Sequence, residues 1–124
     1  MKTRILGCIF LLMCSAYSHA GTYDGVWTID AEPFKENFYM LYQRDGQLLM
    51  VGLEGDMNSW EAFIGPISTN RGNLRILLSP EENFDLNAVL EFSSSTTGTV
   101  NILSCSGDCQ GIPLNQPLPF NKFY

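Results

Sequence analysis

The chain has 124 residues, of which 45% are hydrophobic and 16% are charged, and thirteen acidic side chains outnumber seven basic ones. The formal net charge of −6 argues against binding to a nucleic-acid backbone, which needs a basic surface, and against docking on anionic lipid.

Residues 1–20 have the pattern of a secretory signal peptide. Two basic residues precede an apolar run from Ile5 to Met13, which is too short to span a bilayer. Ser18-His19-Ala20 then places small residues at the two positions that a signal peptidase reads. We therefore expect cleavage after residue 20 and export to a periplasm or to the outside of the cell. The absence of any Asn-x-Ser/Thr sequon favours a bacterial source.

Cleavage would leave residues 21–124 as a single β domain of 124 − 20 = 104 residues, with five basic and thirteen acidic side chains and a formal charge of 5 − 13 = −8. Such a charge favours solubility and a basic partner. The only histidine, His19, would be lost, which excludes Ser-His-Asp and Cys-His catalysis and the usual His-rich zinc sites. We therefore predict a protein that is not an enzyme and that has no cofactor or metal, with catalysis by carboxylates alone left open.

The mature chain has an all-β pattern, in which Gly and Pro separate short β-branched and aromatic segments. Strands are predicted at about 25–30, 38–44, 47–54, 59–64, 74–79, 86–92 and 99–104. Because every connection is short, we expect an antiparallel meander of about seven to eight strands that forms a small barrel or a curled sheet. A two-sheet β-sandwich is the alternative.

Several breaks between these strands can be placed from residue type. Gly65-Pro66 should end the fourth strand, because proline cannot donate to a central ladder. Residues 70–73 should form the next turn, and Ser79–Phe84 could form one helical turn. The Pro-rich tail from Gly111 should be extended and lie across the sheet before its terminal aromatic residues dock.

The strongest local signal is Asp45-Gly46 between two apolar runs, which is typical of a hairpin with a type I′ turn. A two-residue turn fixes the register of residues 38–44 against 47–53. The predicted facing pairs are Arg44–Gln47, Tyr42–Leu49, Met40–Val51 and Phe38–Leu53. The last three pairs lie on one face and are wholly apolar, so we predict that this face is the core.

The opposite face of the hairpin is also mostly apolar, although a sheet with one solvated face should alternate more cleanly. Something should therefore cover it: the tail, a second copy of the chain as a homodimer, or a ligand. The candidate ligand-binding or interface residues are Tyr39, Leu41, Leu48 and Met50, with Trp60 on the following strand. Tyr39 opposite Gly52 also fits an aromatic ring that covers a glycine gap.

Two further features have chemical potential. Glu54, Asp56 and Glu61 present oxygen atoms that could bind calcium or act as a catalytic pair, but a polar turn between strands is the preferred interpretation. Cys105 and Cys109 are the two cysteines left after cleavage and are expected to form a disulfide, because exported proteins oxidise their thiols. Closing so short a loop stabilises the fold by only about 2 kcal/mol.

Gly25-Val26-Trp27, at the start of the first strand, resembles the Gly-x-Trp motif that opens lipocalins. The resemblance implies an eight-stranded barrel whose tryptophan closes the bottom and whose interior holds a small apolar ligand. The chain is short for that family, and the family's C-terminal helix is absent from the sequence.

We conclude from the sequence that the protein is an exported, non-enzymatic binding protein, with a small hydrophobic molecule or lipid as the leading ligand class. The alternative is a protein-interaction module, such as an inhibitor of a basic enzyme, which the charge of −8 would suit. Neither hypothesis involves nucleic acid or stable insertion into a membrane.

Overall fold

The computed structural model describes residues 21–81 and 83–124, which form a closed antiparallel β-barrel. Each strand pairs with its neighbour in sequence, and the last strand pairs with the first. The strands are β1 (Gly25–Ile29), β2 (Phe38–Arg44), β3 (Gln47–Leu53), β4 (Trp60–Ser68), β5 (Arg71–Leu78), β6 (Asp85–Phe92), β7 (Thr97–Ser106) and β8 (Leu118–Lys122). The predicted all-β barrel meander is confirmed, and the alternative sandwich is excluded. The described residues contain no helix.

The barrel interior is filled by side chains. Trp27, Phe120, Leu48 and Leu90 are completely buried. The Trp27 ring stacks on Phe120 at 4.9 Å between centroids and meets the edge of Phe92 at 5.2 Å, while its Nε1 donates a hydrogen bond to the Tyr23 carbonyl oxygen. These contacts close one end of the barrel around an aromatic cluster.

The β2–β3 hairpin has the predicted register. Arg44 pairs with Gln47, and the pairing continues without interruption to Phe38 and Leu53. Asp45 and Gly46 have φ values of 51° and 71°, and a type I′ turn requires positive φ at both central residues.

The prediction of which hairpin face is buried was wrong. Phe38, Met40 and Tyr42 point outward and are 37%, 45% and 48% exposed, whereas Tyr39, Leu41, Leu48 and Met50 are core residues inside the barrel. The two-residue turn fixes the facing pairs, but because both faces are apolar, the alternation does not show which face lies inside. The face that contains Gly52 lies inside the narrow barrel. Gly52 has no side chain, and the Tyr39 ring opposite it fills the space that a side chain would occupy. A Cβ atom on Gly52 would lie 3.1 Å from Tyr39 Cε1.

The predicted boundary between the fourth and fifth strands was also wrong. β4 continues through Gly65 and Pro66, which pair with β3 on one side and leave a gap in the ladder with β5 on the other. Because proline has no N–H to donate, Pro66 is tolerated where the ladder with β5 is interrupted. Gly65 approaches β5 so closely that a Cβ atom there would lie 1.6 Å from the Asn73 carbonyl oxygen. The turn is consequently tighter than predicted, at Thr69–Asn70, and β5 begins at Arg71.

The C-terminal tail closes the barrel instead of lying across it. β8 pairs with both β1 and β7, and the Val26 N–H donates to the Tyr124 carbonyl oxygen at 2.7 Å. Phe120 is buried as expected, but Phe123 and Tyr124 are 71% and 89% exposed. Pro119 stands within β8 and is exposed, so the extended tail that we predicted is a paired strand of the barrel.

The predicted disulfide is present between Cys105, near the end of β7, and Cys109. The signal-peptide prediction for residues 1–20 lies outside the described residues. The predicted helical turn at Ser79–Phe84 includes Glu82, which also lies outside the described residues. The other residues of this segment adopt no helix, and the Ser79 hydroxyl accepts a hydrogen bond from the Glu81 N–H.

Candidate acidic binding site

The end of the barrel opposite the Asp45-Gly46 turn opens into a depression of about 530 Å³. The β1–β2, β3–β4, β5–β6 and β7–β8 connections meet there, because alternate connections of a sequential antiparallel barrel lie at the same end. Seven carboxylates line the depression, which we call the acidic mouth: Glu32, Glu36, Glu54, Asp56, Glu61, Glu81 and Asp108.

The floor of the acidic mouth is apolar and aromatic. Phe63 and Leu86 are buried, and Phe84 and Ile112 are half-buried at its sides. Tyr39 is also buried, and its hydroxyl reaches the polar rim, where it accepts a hydrogen bond from Asn37 Nδ2 at 3.5 Å. The site therefore combines a negatively charged rim with an apolar base.

Glu61 is the carboxylate placed deepest in the mouth. It lies on β4 opposite Gly52, so its side chain points inward next to Tyr39. Burial raises the pKa of Glu61 above its ordinary value, and the negative charges of Glu54 and Glu81 raise it further. The charged carboxylate is thus held at an energetic cost that a cation in the mouth would relieve.

The same environment acts on the Tyr39 hydroxyl. Burial raises its pKa, with smaller contributions in the same direction from Glu61 and Glu54, while the hydrogen bond from Asn37 opposes them. Tyr39 therefore stays neutral, and its hydroxyl is not activated as a base or a nucleophile.

The acidic mouth is strongly negative; Lys35 stands in the β1–β2 connection between the lining residues Phe34 and Glu36 but does not itself line the depression. Neither lysine nor arginine lines it. Among the described residues, Arg71 forms an ion pair with Glu91, and this pair lies on the outer surface toward the opposite end of the barrel. Within the part of the chain that the structure describes, no group of three or more His, Cys, Asp or Glu side chains is placed to hold a metal ion.

Four of the five predicted site residues are brought together in the barrel core, and Trp60 lies apart from them. Leu41, Leu48 and Met50 are in the barrel core, Tyr39 spans the core and the floor of the mouth, and Trp60 is 42% exposed on the outer surface. The cover predicted for Tyr39, Leu41, Leu48 and Met50 is the barrel itself.

The acidic mouth was missed, although a signal for it exists in the sequence. Acids stand before β2, after β3, between β5 and β6, and after β7. Once the strands are counted as a closed meander, these positions fall at one end. The interpretations given for Glu54, Asp56 and Glu61 (a polar turn, a calcium site or a catalytic pair) were all local and did not include the other four acids.

The fold and site define a small closed β-barrel with a packed interior and an acidic mouth. No family model matches the chain, and no match was found among curated proteins or solved structures. The similarity of Gly25-Val26-Trp27 to lipocalins therefore stays a prediction. No helix among the described residues is long and apolar enough to cross a membrane.

Proposed function

We propose that this chain is an exported, non-enzymatic interaction protein whose acidic mouth receives basic side chains of a partner protein, as an inhibitor of a basic enzyme would. The proposal depends on one observation: seven carboxylates converge on a single depression, and no lysine or arginine is among the described residues that line it. Like charges held together raise the free energy of the unoccupied site, so a bound cation gains more here than at an isolated carboxylate.

The shape of the site favours lysine or arginine over a bare cation. Both side chains have an apolar stem that can lie on Phe63 and Leu86 while the charged head reaches the rim. Arginine in addition forms paired hydrogen bonds with carboxylates. The Tyr39 hydroxyl adds a neutral polar group at the boundary between stem and head.

Binding of an octa-arginine peptide, followed by calorimetry at low and high salt, tests this proposal. We expect binding at low salt that weakens as salt screens the rim. The double variant Glu54→Gln/Asp56→Asn should weaken binding by about tenfold, because each exposed ion pair contributes up to about 1 kcal/mol.

The matched control is Asp45→Asn/Glu91→Gln, which removes the same net charge from positions remote from the mouth. It should weaken binding much less. Equal weakening by both variants would show attraction to overall charge alone and would contradict a defined site, as would the absence of peptide binding.

A small hydrophobic molecule, which the sequence predicts as the leading ligand class, is the second candidate, and the apolar floor of the mouth favours it. The core behind that floor is occupied by Trp27, Phe120, Leu48 and Leu90, so such a ligand would have to lie in the mouth. Native mass spectrometry of the purified protein would detect such a ligand as an increase in mass that the Phe63→Glu variant lacks. A wild-type protein with the mass of the chain alone would count against this candidate.

A further inference from the structure

The outer surface of β2, β3 and β4 carries an extended apolar face that the barrel does not cover. We call it the apolar outer face and define it by Phe38, Met40, Tyr42, Val51, Leu53 and Trp60. Adjacent strands place these side chains in rows: Phe38, Leu53 and Trp60 form one row, and Met40 and Val51 lie in the next. The Phe123 ring extends the face by packing edge-on against Phe38 at 6.1 Å.

Together with its neighbours Leu78 and Phe123, the apolar outer face exposes more apolar area than a small monomer usually presents. Phe38, Met40, Tyr42 and Trp60 are each 37% to 48% exposed, and neighbouring Leu78 and Phe123 are 57% and 71% exposed. With about 200 Å² for each large apolar side chain, the six residues of the face expose roughly 400 Å², and Leu78 and Phe123 raise the total to roughly 700 Å². The largest patch on a typical monomer is about 300–600 Å², whereas a standard interface buries about 800 Å² on each partner.

The apolar outer face carries no charge that would repel the same face of a second copy. Its six defining residues include no carboxylate, and the nearest charged side chain on the outer surface of β2 is Arg44, whose guanidinium lies 5.6 Å from the Tyr42 ring centroid. Acids crowd the mouth instead. The described strands close into a barrel and leave no free edge strand for pairing with another copy, which favours association through the outer face.

We propose that the protein is a symmetric homodimer in which the apolar outer faces of two copies pack against each other. A two-fold axis makes the contact self-complementary, since the same residues meet on both sides. The orientation follows from electrostatics: with the barrel axes antiparallel, the two acidic mouths point away from each other, whereas a parallel arrangement would bring the two sets of seven carboxylates to one end. The dimer thus presents two binding mouths, although its existence does not depend on the function proposed for them.

Analytical ultracentrifugation of the purified protein tests the dimer. We expect a dimer at about 10 µM, and a dimer dissociation constant at least ~100-fold larger for Met40→Glu, because each interface would bury two added charges. The matched control is Leu103→Glu, since Leu103 on β7 is also 45% exposed but lies on another side of the barrel. It should leave the dimer intact.

Circular dichroism would establish that both variants keep the barrel, and Val51→Glu provides a second substitution should Met40→Glu fail to fold. A wild-type monomer at this concentration would overturn the proposal, and so would equal dissociation by the two substitutions. A monomer that binds phosphatidylcholine vesicles through Met40 would assign the face to lipid and overturn the dimer equally.

The antiparallel orientation has its own test. Phe38 lies at the mouth end of β2, and Tyr42 lies toward the opposite end. A mixture of Phe38→Cys and Tyr42→Cys proteins should therefore form crosslinks between the two variants on mild oxidation. Crosslinks of each variant only with itself would indicate parallel axes and contradict the charge argument.

Discussion

Glu61 shows how one residue joins the fold to the candidate site. Its place on β4 opposite Gly52 directs the carboxylate inward, where burial and the charges of Glu54 and Glu81 raise its pKa. The backbone of Glu61 pairs within β4 and so contributes to the barrel, whereas its half-buried negative charge destabilises the folded state. Such a residue is costly to the isolated fold, and a cation bound nearby would reduce that cost.

Replacing Glu61 with glutamine should raise the melting temperature at about pH 8, because the variant no longer holds a half-buried charge among other acids. A carboxyl whose pKa is raised by folding favours the folded state when protonated, and this contribution is lost as pH rises through the folded-state pKa. The gain of Glu61→Gln should therefore disappear near pH 4, where the group is protonated in the wild type. Thermal melts across this range measure it.

Asp45→Asn is the control for that experiment, since Asp45 is an exposed acid in the β2–β3 turn. Its melting temperature should follow the wild type at both pH values. A destabilised Glu61→Gln protein at about pH 8 would contradict the assignment of Glu61 as a strained charge.

Tyr39 and Gly52 illustrate what a sequence can reveal at the scale of single residues. The register of the Asp45-Gly46 hairpin predicts that they face each other, and the structure confirms the pairing and the close approach of the ring to Gly52. The same register could not show that this pair faces inward, since that depends on strands far away in sequence.

At the scale of elements, β8 determines whether the barrel is closed. It is the only described strand that pairs with β1 on one side and β7 on the other. Phe120, at its centre, is completely buried against Trp27 and lies 6.1 Å from the Tyr39 ring. Loss of this strand would leave unpaired edges on β1 and β7.

Phe120→Ala should reduce the free energy of unfolding by about 3–5 kcal/mol, because it leaves a cavity in a packed aromatic core. Urea denaturation followed by tryptophan fluorescence measures the loss. Tyr124→Ala is the matched control, since Tyr124 is 89% exposed two positions beyond β8; we expect a loss below about 1 kcal/mol. Comparable losses would mean that β8 docks through its end instead of its centre.

At the scale of the whole molecule, charge and apolar surface are segregated. Acids gather at the mouth, the apolar outer face lies on β2–β4, and Arg71 pairs with Glu91 elsewhere on the surface. This separation allows one small barrel to hold two distinct interaction surfaces. It also means that folding brings together negative charges that are far apart in the unfolded chain.

Added salt should consequently stabilise the protein. Screening weakens the repulsion within the acidic mouth more than it weakens the exposed Arg71–Glu91 pair. We expect the melting temperature to rise between about 10 mM and 500 mM sodium chloride, and the rise to be smaller in Glu54→Gln/Asp56→Asn. A melting temperature that falls with salt would indicate that attractive ion pairs dominate, contrary to the structure.

Local chemistry in the sequence determined the strand type, the hairpin turn and the β2–β3 register, because positive-φ residues and period-two alternation act over a few residues. It also determined the disulfide partners, since only Cys105 and Cys109 follow the predicted signal peptide. Only the tertiary structure decided which hairpin face lies inside, that the tail supplies β8, and that seven separate acids form one mouth. Each of these depends on barrel closure, which joins residues 25–29 to residues 118–122, and no local pattern encodes the direction in which a sheet with two apolar faces curls.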